Sequence, residues 1–367
     1  MKNHLKFYPS PNSINYHWSC GSIALVFFVI QVITGFLLVA NYVPHVEHAF
    51  DSVENILRNV HYGWLIKYMH SNGAAFFFLS LYFHIFRNLY YYPYCSENAA
   101  VWYSGFFCFL ITMGIGFTGY VLPWGQMSYW GVTVITKIVT VIPVIGPHLL
   151  TWFWGGFSVD QAALLRFFSL HIFLVFVLSI FICFHLFALH LYGSNSPCSL
   201  NVSVHYRRHI PLYPYYFLKD IEGILFTLLW YEYFVFFEPN LLNHPDNFIK
   251  ASAVITPSHI VPEWYFLPFY AILRLAPDKI DGALLAFSFI VTIALLPFFT
   301  LNKIPRVVKW FSSSLIMLAI IMLIIVGWAG AQVPSFEYIT LLIFILIVVK
   351  LCFNLFSNGS SNRRNNF

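Results

Sequence analysis

Long apolar runs separated by short polar stretches recur along the whole chain. A membrane-spanning helix needs about 20 mostly apolar residues. Eight segments are candidates: 20–42, 65–91, 101–122, 166–191, 221–238, 282–301, 310–328 and 337–356. Two connections are longer than the rest. Residues 123–165 carry Pro123, Gly125, Pro143, Gly146 and Pro147 with several tryptophans, and read as short interfacial helices. Residues 239–281 form the other, and tryptophan at such edges fits the aromatic belt of a bilayer protein. The pattern predicts an all-α integral membrane fold with eight transmembrane helices, interfacial helices in both long loops, and no repeat of 20–50 residues. Two regions are expected: a four-helix bundle over 1–210, and a second membrane region over 211–367 that carries the 239–281 loop.

Composition agrees. Of the 367 residues, 59% are hydrophobic and 9% charged, against about 25% charged in soluble domains. Lipid is therefore the expected solvent. Charge orients the helices. With both termini on one side, twelve of the nineteen Lys and Arg residues fall there, among them Lys2, Arg87, Arg207, Lys303 and Arg363. The positive-inside rule makes that side cytoplasmic or matrix, and both long loops then lie on the opposite side. The net charge of +5 is dispersed and gives no reason to expect a nucleic acid partner. The six cysteines form no C-x-x-C, which excludes covalent c-type haem and a zinc knuckle. No signal or transit peptide is read in 1–16.

The candidate chemistry sits inside the apolar segments. His70 and His84 lie fourteen residues apart in the second, and His171 and His185 fourteen apart in the fourth. Fourteen residues make almost four helical turns and a rise of about 21 Å, so each helix points two histidines the same way at two depths. Both helices enter from the same side. His70 is then level with His171, and His84 with His185. An imidazole in lipid needs a partner, and two facing pairs suit two stacked low-spin haems.

Glycines share the interval. Gly21 and Gly35 lie in the first segment, and Gly105 and Gly119 in the third. A glycine lets a flat macrocycle approach the backbone where a Cβ would collide. Lys67, Arg87 and Arg166 stand near the histidines and are candidates for haem propionates.

At this point the sequence resembles the cytochrome b family, the dihaem core of ubiquinol–cytochrome c reductase, complex III. The resemblance rests on YGWLIKYMHSNGA (62–74), GYVLPWGQMSYWG (119–131), WGGFSVD (154–160), RFFSLH (166–171), HLYGSN (190–195), HPDNF (244–248), PEWYF (262–266) and YAILR (270–274), and covers about 13–350. It implies two non-covalent b-type haems: bL on His70 and His171, and bH on His84 and His185. Trp18 and Arg87 match bH contacts. It implies an outer ubiquinol site, Qo, where Glu263 accepts a proton with Tyr270 in support, and Phe117, Tyr120, Met127 and Gly131 form walls. A carboxylate at that apolar edge could have a raised pKa. It implies an inner site, Qi, at His190, Ser194, Lys219 and Asp220. An acid at a helix start is also favourable in itself.

The implied activity is the Q cycle: ubiquinol is oxidised at Qo, one electron goes to a Rieske iron–sulfur protein, and the other crosses through bL and bH to ubiquinone at Qi. Implied partners are the Rieske protein, cytochrome c1, the remaining complex III subunits, lipid, and a second copy of the complex. The expected location is the mitochondrial inner membrane, with both termini on the matrix side. Lys67 stands where the family commonly has arginine and lacks its bidentate fork; Val132 and His17 also depart from the usual residues. Two other readings use similar residues. A dihaem anchor of another quinone-linked dehydrogenase usually has fewer helices and would lack PEWY and HPDN. A haem-free histidine-using transporter would show broken helices or internal repeats.

Overall fold

The computed structural model describes residues 8–91, 99–194, 209–276, 278–299 and 306–333. Long helices dominate: α1 (Cys20–Val39), α3 (Gly63–Tyr91), α4 (Ala99–Val121), α7 (Gln161–Tyr192), α8 (Phe217–Phe237), α10 (Lys279–Phe299) and α11 (Arg306–Gly330). Shorter helices lie between them: α2 (Ala49–Arg58), α5 (Gln126–Thr136), α6 (Gly146–Trp154) and α9 (Leu267–Arg274). The first seven expected segments match α1, α3, α4, α7, α8, α10 and α11. The eighth, 337–356, lies outside the described residues.

Four of these stretches are long and apolar enough to cross a membrane: Tyr16–Val39, Ala99–Val121, Gln161–Tyr192 and Lys279–Pro297. α3 and α8 have the length, at 29 and 21 residues, but polar side chains dilute their apolarity. Lys67, His70, Asn72, His84 and Arg87 interrupt α3; Lys219, Asp220, Glu222 and Glu232 interrupt α8.

Two findings depart from the sequence pattern. A two-stranded antiparallel ribbon pairs β1 (Pro9–Pro11) with β2 (His209–Pro211), a small exception to an all-helical fold. Helix α2 carries Asp51 in its first turn and Arg58 in its last, an arrangement that complements the helix dipole. It is too short and too polar to register as a span.

The chain divides into two compact units. One comprises Met1–Asn41, Ile56–Ile111 and Val177–Leu242; the other comprises Tyr42–Asn55, Thr112–Phe176 and Asn243–Phe367. In the first, α1 packs along α3 through aromatic pairs such as Phe27–Phe76, with ring centres 5.6 Å apart. α8 joins them through Tyr231, whose edge meets Phe27 at 5.2 Å and whose hydroxyl donates to the Met69 carbonyl at 2.7 Å. In the second, Val121, Trp124, Val132, Trp154, Leu164 and Phe167 form a buried cluster around α5 and the start of α7. Ala271, Ile272, Ala319 and Val326 form another between α9 and α11.

Candidate functional site

Each of the four histidines meets one of the four glycines. A Cβ on Gly21 would stand 3.2 Å from His84 Cε1, one on Gly35 3.1 Å from His70 Cε1, one on Gly105 3.0 Å from His185 Cε1, and one on Gly119 2.5 Å from His171 Cε1. Carbon atoms at rest sit about 3.5–4.0 Å apart, so only glycine admits the rings where they stand.

The residue before the glycine then holds the ring. Thr34 Oγ1 lies 2.9 Å from His70 Nδ1, Ser104 Oγ 3.0 Å from His185 Nδ1, and Thr118 Oγ1 3.4 Å from His171 Nδ1. His171 Nδ1 also lies 2.9 Å from the Ile115 carbonyl. Anchoring Nδ1 fixes the ring and presents Nε2 to a metal, as the hydrogen-bond partners of ligating histidines do. The dipeptides Thr34-Gly35, Ser104-Gly105 and Thr118-Gly119 thus combine clearance with orientation. Sequence reading singled out the glycines and missed the hydroxyls beside them, although Ser104 and Thr118 repeat at the same interval. The fourth position is Cys20, and there Arg87 Nη2 stands 3.4 Å from His84 Nδ1 instead.

Within the first unit, His84 and His185 face each other with ring centres 6.2 Å apart and planes inclined at 75°. Two imidazoles on one metal atom, each with a bond of about 2.0 Å and a ring centre about 1.15 Å behind the nitrogen, place their centres about 6.3 Å apart. The pair therefore has the spacing of two axial ligands. Arg87 is beside it, its guanidinium 5.1 Å from the Trp18 ring centre and its Nη2 donating to Asn88 Oδ1 at 2.8 Å. Arg87 Nε is buried without a hydrogen-bond partner. A buried donor left in that state is rare and costly, and a carboxylate such as a haem propionate would satisfy it. The residues fit the group. The other two cations sit differently: Lys67 Nζ lies 4.7 Å over the Tyr68 ring, and Arg166 donates to the Trp152 carbonyl and is exposed.

The residues expected around an outer quinone site all belong to the second unit. The Tyr120 hydroxyl is buried, makes no hydrogen bond of ordinary length, and lies near enough to Glu263 for their charges to interact. Met127 is 1% exposed. Phe117 meets Phe167 edge-on at 5.8 Å. A Cβ on Gly131 would touch nothing within 4 Å, so open space adjoins it, whereas its neighbour Val132 is directed into the buried cluster. Tyr270 donates to the Ile260 carbonyl at 3.1 Å and lies under Arg274 at 4.9 Å, which fixes the loop leading into Glu263. The HPDN motif has a structural task. Asn247 Oδ1 accepts from Ser128 N at 2.9 Å and Ser128 Oγ at 3.1 Å, capping α5, whose N-cap Gly125 has no side chain to do so.

The residues expected around an inner site belong to the first unit. Asp220 Oδ2 accepts from Ser22 Oγ at 2.7 Å. Lys219 Nζ stands 5.4 Å from the Tyr16 ring centre and 5.7 Å from that of Tyr216. The β1–β2 ribbon sets Tyr8 against His190, ring centres 5.0 Å apart, with Ser194 bonded to the Tyr8 hydroxyl. Burial raises the Tyr8 pKa, keeping its proton available for donation. Tyr8 and Ser22 carry no motif that marks them in the sequence; a ribbon joining residues 200 apart brings the former in.

These features define a helical membrane protein with a bis-imidazole site framed by glycine-bearing helices. The chain belongs to the cytochrome b family. The family described as cytochrome b/b6/petB matches residues 5–193, and that described as cytochrome b(C-terminal)/b6/petD matches 250–351. Cytochrome b of Rickettsia conorii is 48% identical over 346 residues, 92% of this chain and 85% of that protein. Cytochrome b of Solanum tuberosum is 46% identical over 350 residues, 93% and 86% of the respective chains. A chain of a hyperthermophilic respiratory complex III superposes with a TM-score of 0.91 at 27% identity, covering 98% of this chain and 95% of its own.

Proposed function

We propose that this chain is the haem-bearing catalytic subunit of a complex III, oxidising ubiquinol at an outer site and returning one electron to ubiquinone at an inner site. The observation that carries the reading is the His84–His185 pair, 6.2 Å between ring centres, framed by Gly21 and Gly105. His84 and His185 would hold bH; His70 and His171, each with a glycine and a threonine hydroxyl beside it, would hold bL. A bound haem supplies an iron that takes up and releases one electron. Arg87 would bind a propionate. The buried, unpartnered Arg87 Nε is the donor that would meet that carboxylate.

At the outer site Glu263 would accept a proton from ubiquinol. Its proximity to the buried Tyr120 hydroxyl and the open space beside Gly131 support that role. Tyr270 acts by positioning the loop before Glu263, and Phe117 and Met127 exclude water. At the inner site His190 and Asp220 would address the two quinone oxygens, with Ser194 and Lys219 at the rim; the Ser22 bond to Asp220 holds that carboxylate in place.

The eight-helix count, the division at residue 210, and both termini on the matrix side of the mitochondrial inner membrane are part of this proposal. So are the partners: the Rieske protein, cytochrome c1, the remaining subunits and a second copy of the complex. The two family matches, 5–193 and 250–351, fall on either side of the proposed division. The test is a reduced-minus-oxidised spectrum with a haem-to-protein ratio on the purified complex. Two b-type haems per chain are expected; a complex without a b-type α-band would refute the reading.

A further inference from the structure

The turn that leads into α2 carries three ligating side chains that the haem and quinone sites do not use. The ligating atoms of His45, Glu47 and His48 all fall within 4.8 Å of one another. The two imidazole centres are 5.3 Å apart with planes inclined at 34°. The backbone that presents them is well tied. The His45 carbonyl accepts from His48 N at 2.9 Å and Ala49 N at 2.6 Å. Gln161 braces the turn from α7, its Oε1 accepting from Val46 N and its Nε2 donating to the Pro44 carbonyl, each at 2.9 Å. Lys250, the cation at this turn, pairs with Asp51 at 2.8 Å and donates to the Glu47 backbone carbonyl, not to its carboxylate.

We propose that His45, Glu47 and His48 form a binding site for a divalent transition-metal ion such as Zn²⁺ or Cu²⁺, with water completing the coordination. Two imidazoles and one carboxylate suit these ions; Ca²⁺ and Mg²⁺ call for oxygen donors throughout. Donors around a tetrahedral ion lie about 3.3 Å apart, so the side chains close in by about 1.5 Å. Glu47 and His48 are exposed and have the freedom to do so. His45 Nδ1 accepts a long bond, 3.3 Å, from Glu47 N. A metal-bound imidazole has no lone pair left over, so that contact is given up on ligation. The site does not depend on the haem reading.

The probe is Cu²⁺ added to the purified, haem-loaded complex and followed by electron paramagnetic resonance. Wild type should bind one equivalent per chain tightly, with hyperfine structure from two nitrogens, and Zn²⁺ should displace it. In His48→Ala the affinity should fall at least tenfold and one nitrogen should disappear, with the haem spectrum unchanged. Glu47→Gln should weaken binding while both nitrogens remain. If His48→Ala disturbs haem content, His48→Gln replaces it as the test. Equal uptake with the same two-nitrogen signature in wild type and in the His45→Ala/His48→Ala double variant would overturn the proposal, as would failure of wild type to bind Cu²⁺ at this stoichiometry.

Discussion

A Cβ on Gly119 would stand 2.5 Å from Cε1 of His171, the tightest of the four glycine–histidine approaches, and the Gly21–His84 approach is the most relaxed at 3.2 Å. The ordering predicts graded damage. Gly119→Ala should lose its haem from most of the protein, whereas Gly21→Ala should retain a substantial share, because a displacement of a few tenths of an ångström relieves it. Haem-to-protein ratios of the two variants check this; equal loss would contradict the steric account.

Ser104→Ala removes the hydroxyl 3.0 Å from His185 Nδ1 without touching a ligand. Loss of a hydrogen-bond partner of a ligating histidine typically weakens a metal site about 10–100-fold. The expected outcome is bH that is released more readily and has a shifted midpoint potential, with bL unchanged. Potentiometric titration separates the two.

Glu263→Gln should slow ubiquinol oxidation while leaving both haems in place, since no haem-site residue is altered. Steady-state turnover beside a redox spectrum gives the answer, and normal turnover would dismiss the proton-acceptor role.

Asn247→Ala should strip the cap from α5, leaving the backbone N–H of the buried Ser128 without its acceptor. Leaving a buried donor unpaired costs about 1–3 kcal/mol. Turnover at the outer site should fall, and the purified complex should lose that activity at a lower temperature than wild type.

His259 offers a pH test. Burial, then Arg274, then His244 hold its pKa below the usual histidine value, so the native state keeps it neutral. An unfolded chain takes up the proton as pH falls below about 6.5, and the native state does so only lower. Stability from this group is therefore present above that pH and declines below it. His259→Gln should flatten the acid side of the stability profile between pH 6.5 and 5.

Much of this was legible in the sequence because two periodicities coincide. Apolar runs of spanning length marked the seven described long helices, and the fourteen-residue interval marked four histidines and four glycines at once. What escaped has physical reasons. Helix α2 is short and amphipathic, so a search for spans passes over it. α7 begins at Gln161, five residues before the expected start, because Asp160 and Gln161 look like loop although the Asp160 carbonyl accepts from Leu164 N at 3.0 Å. Thr34, Ser104 and Thr118 are ordinary helix residues until a ring nitrogen stands opposite them. Asn247 acts across 119 positions, and no local pattern reports such a distance.

The β1–β2 ribbon sets an order of assembly. Pro9–Pro11 can find their partners only after His209–Pro211 have emerged from the ribosome, by which time α1, α3, α4 and α7, all N-terminal to them, have emerged too. The Tyr8–His190 contact is thus among the last parts of the N-terminal half to mature, and a truncated product ending before residue 209 would carry all four histidines yet leave Tyr8 unseated.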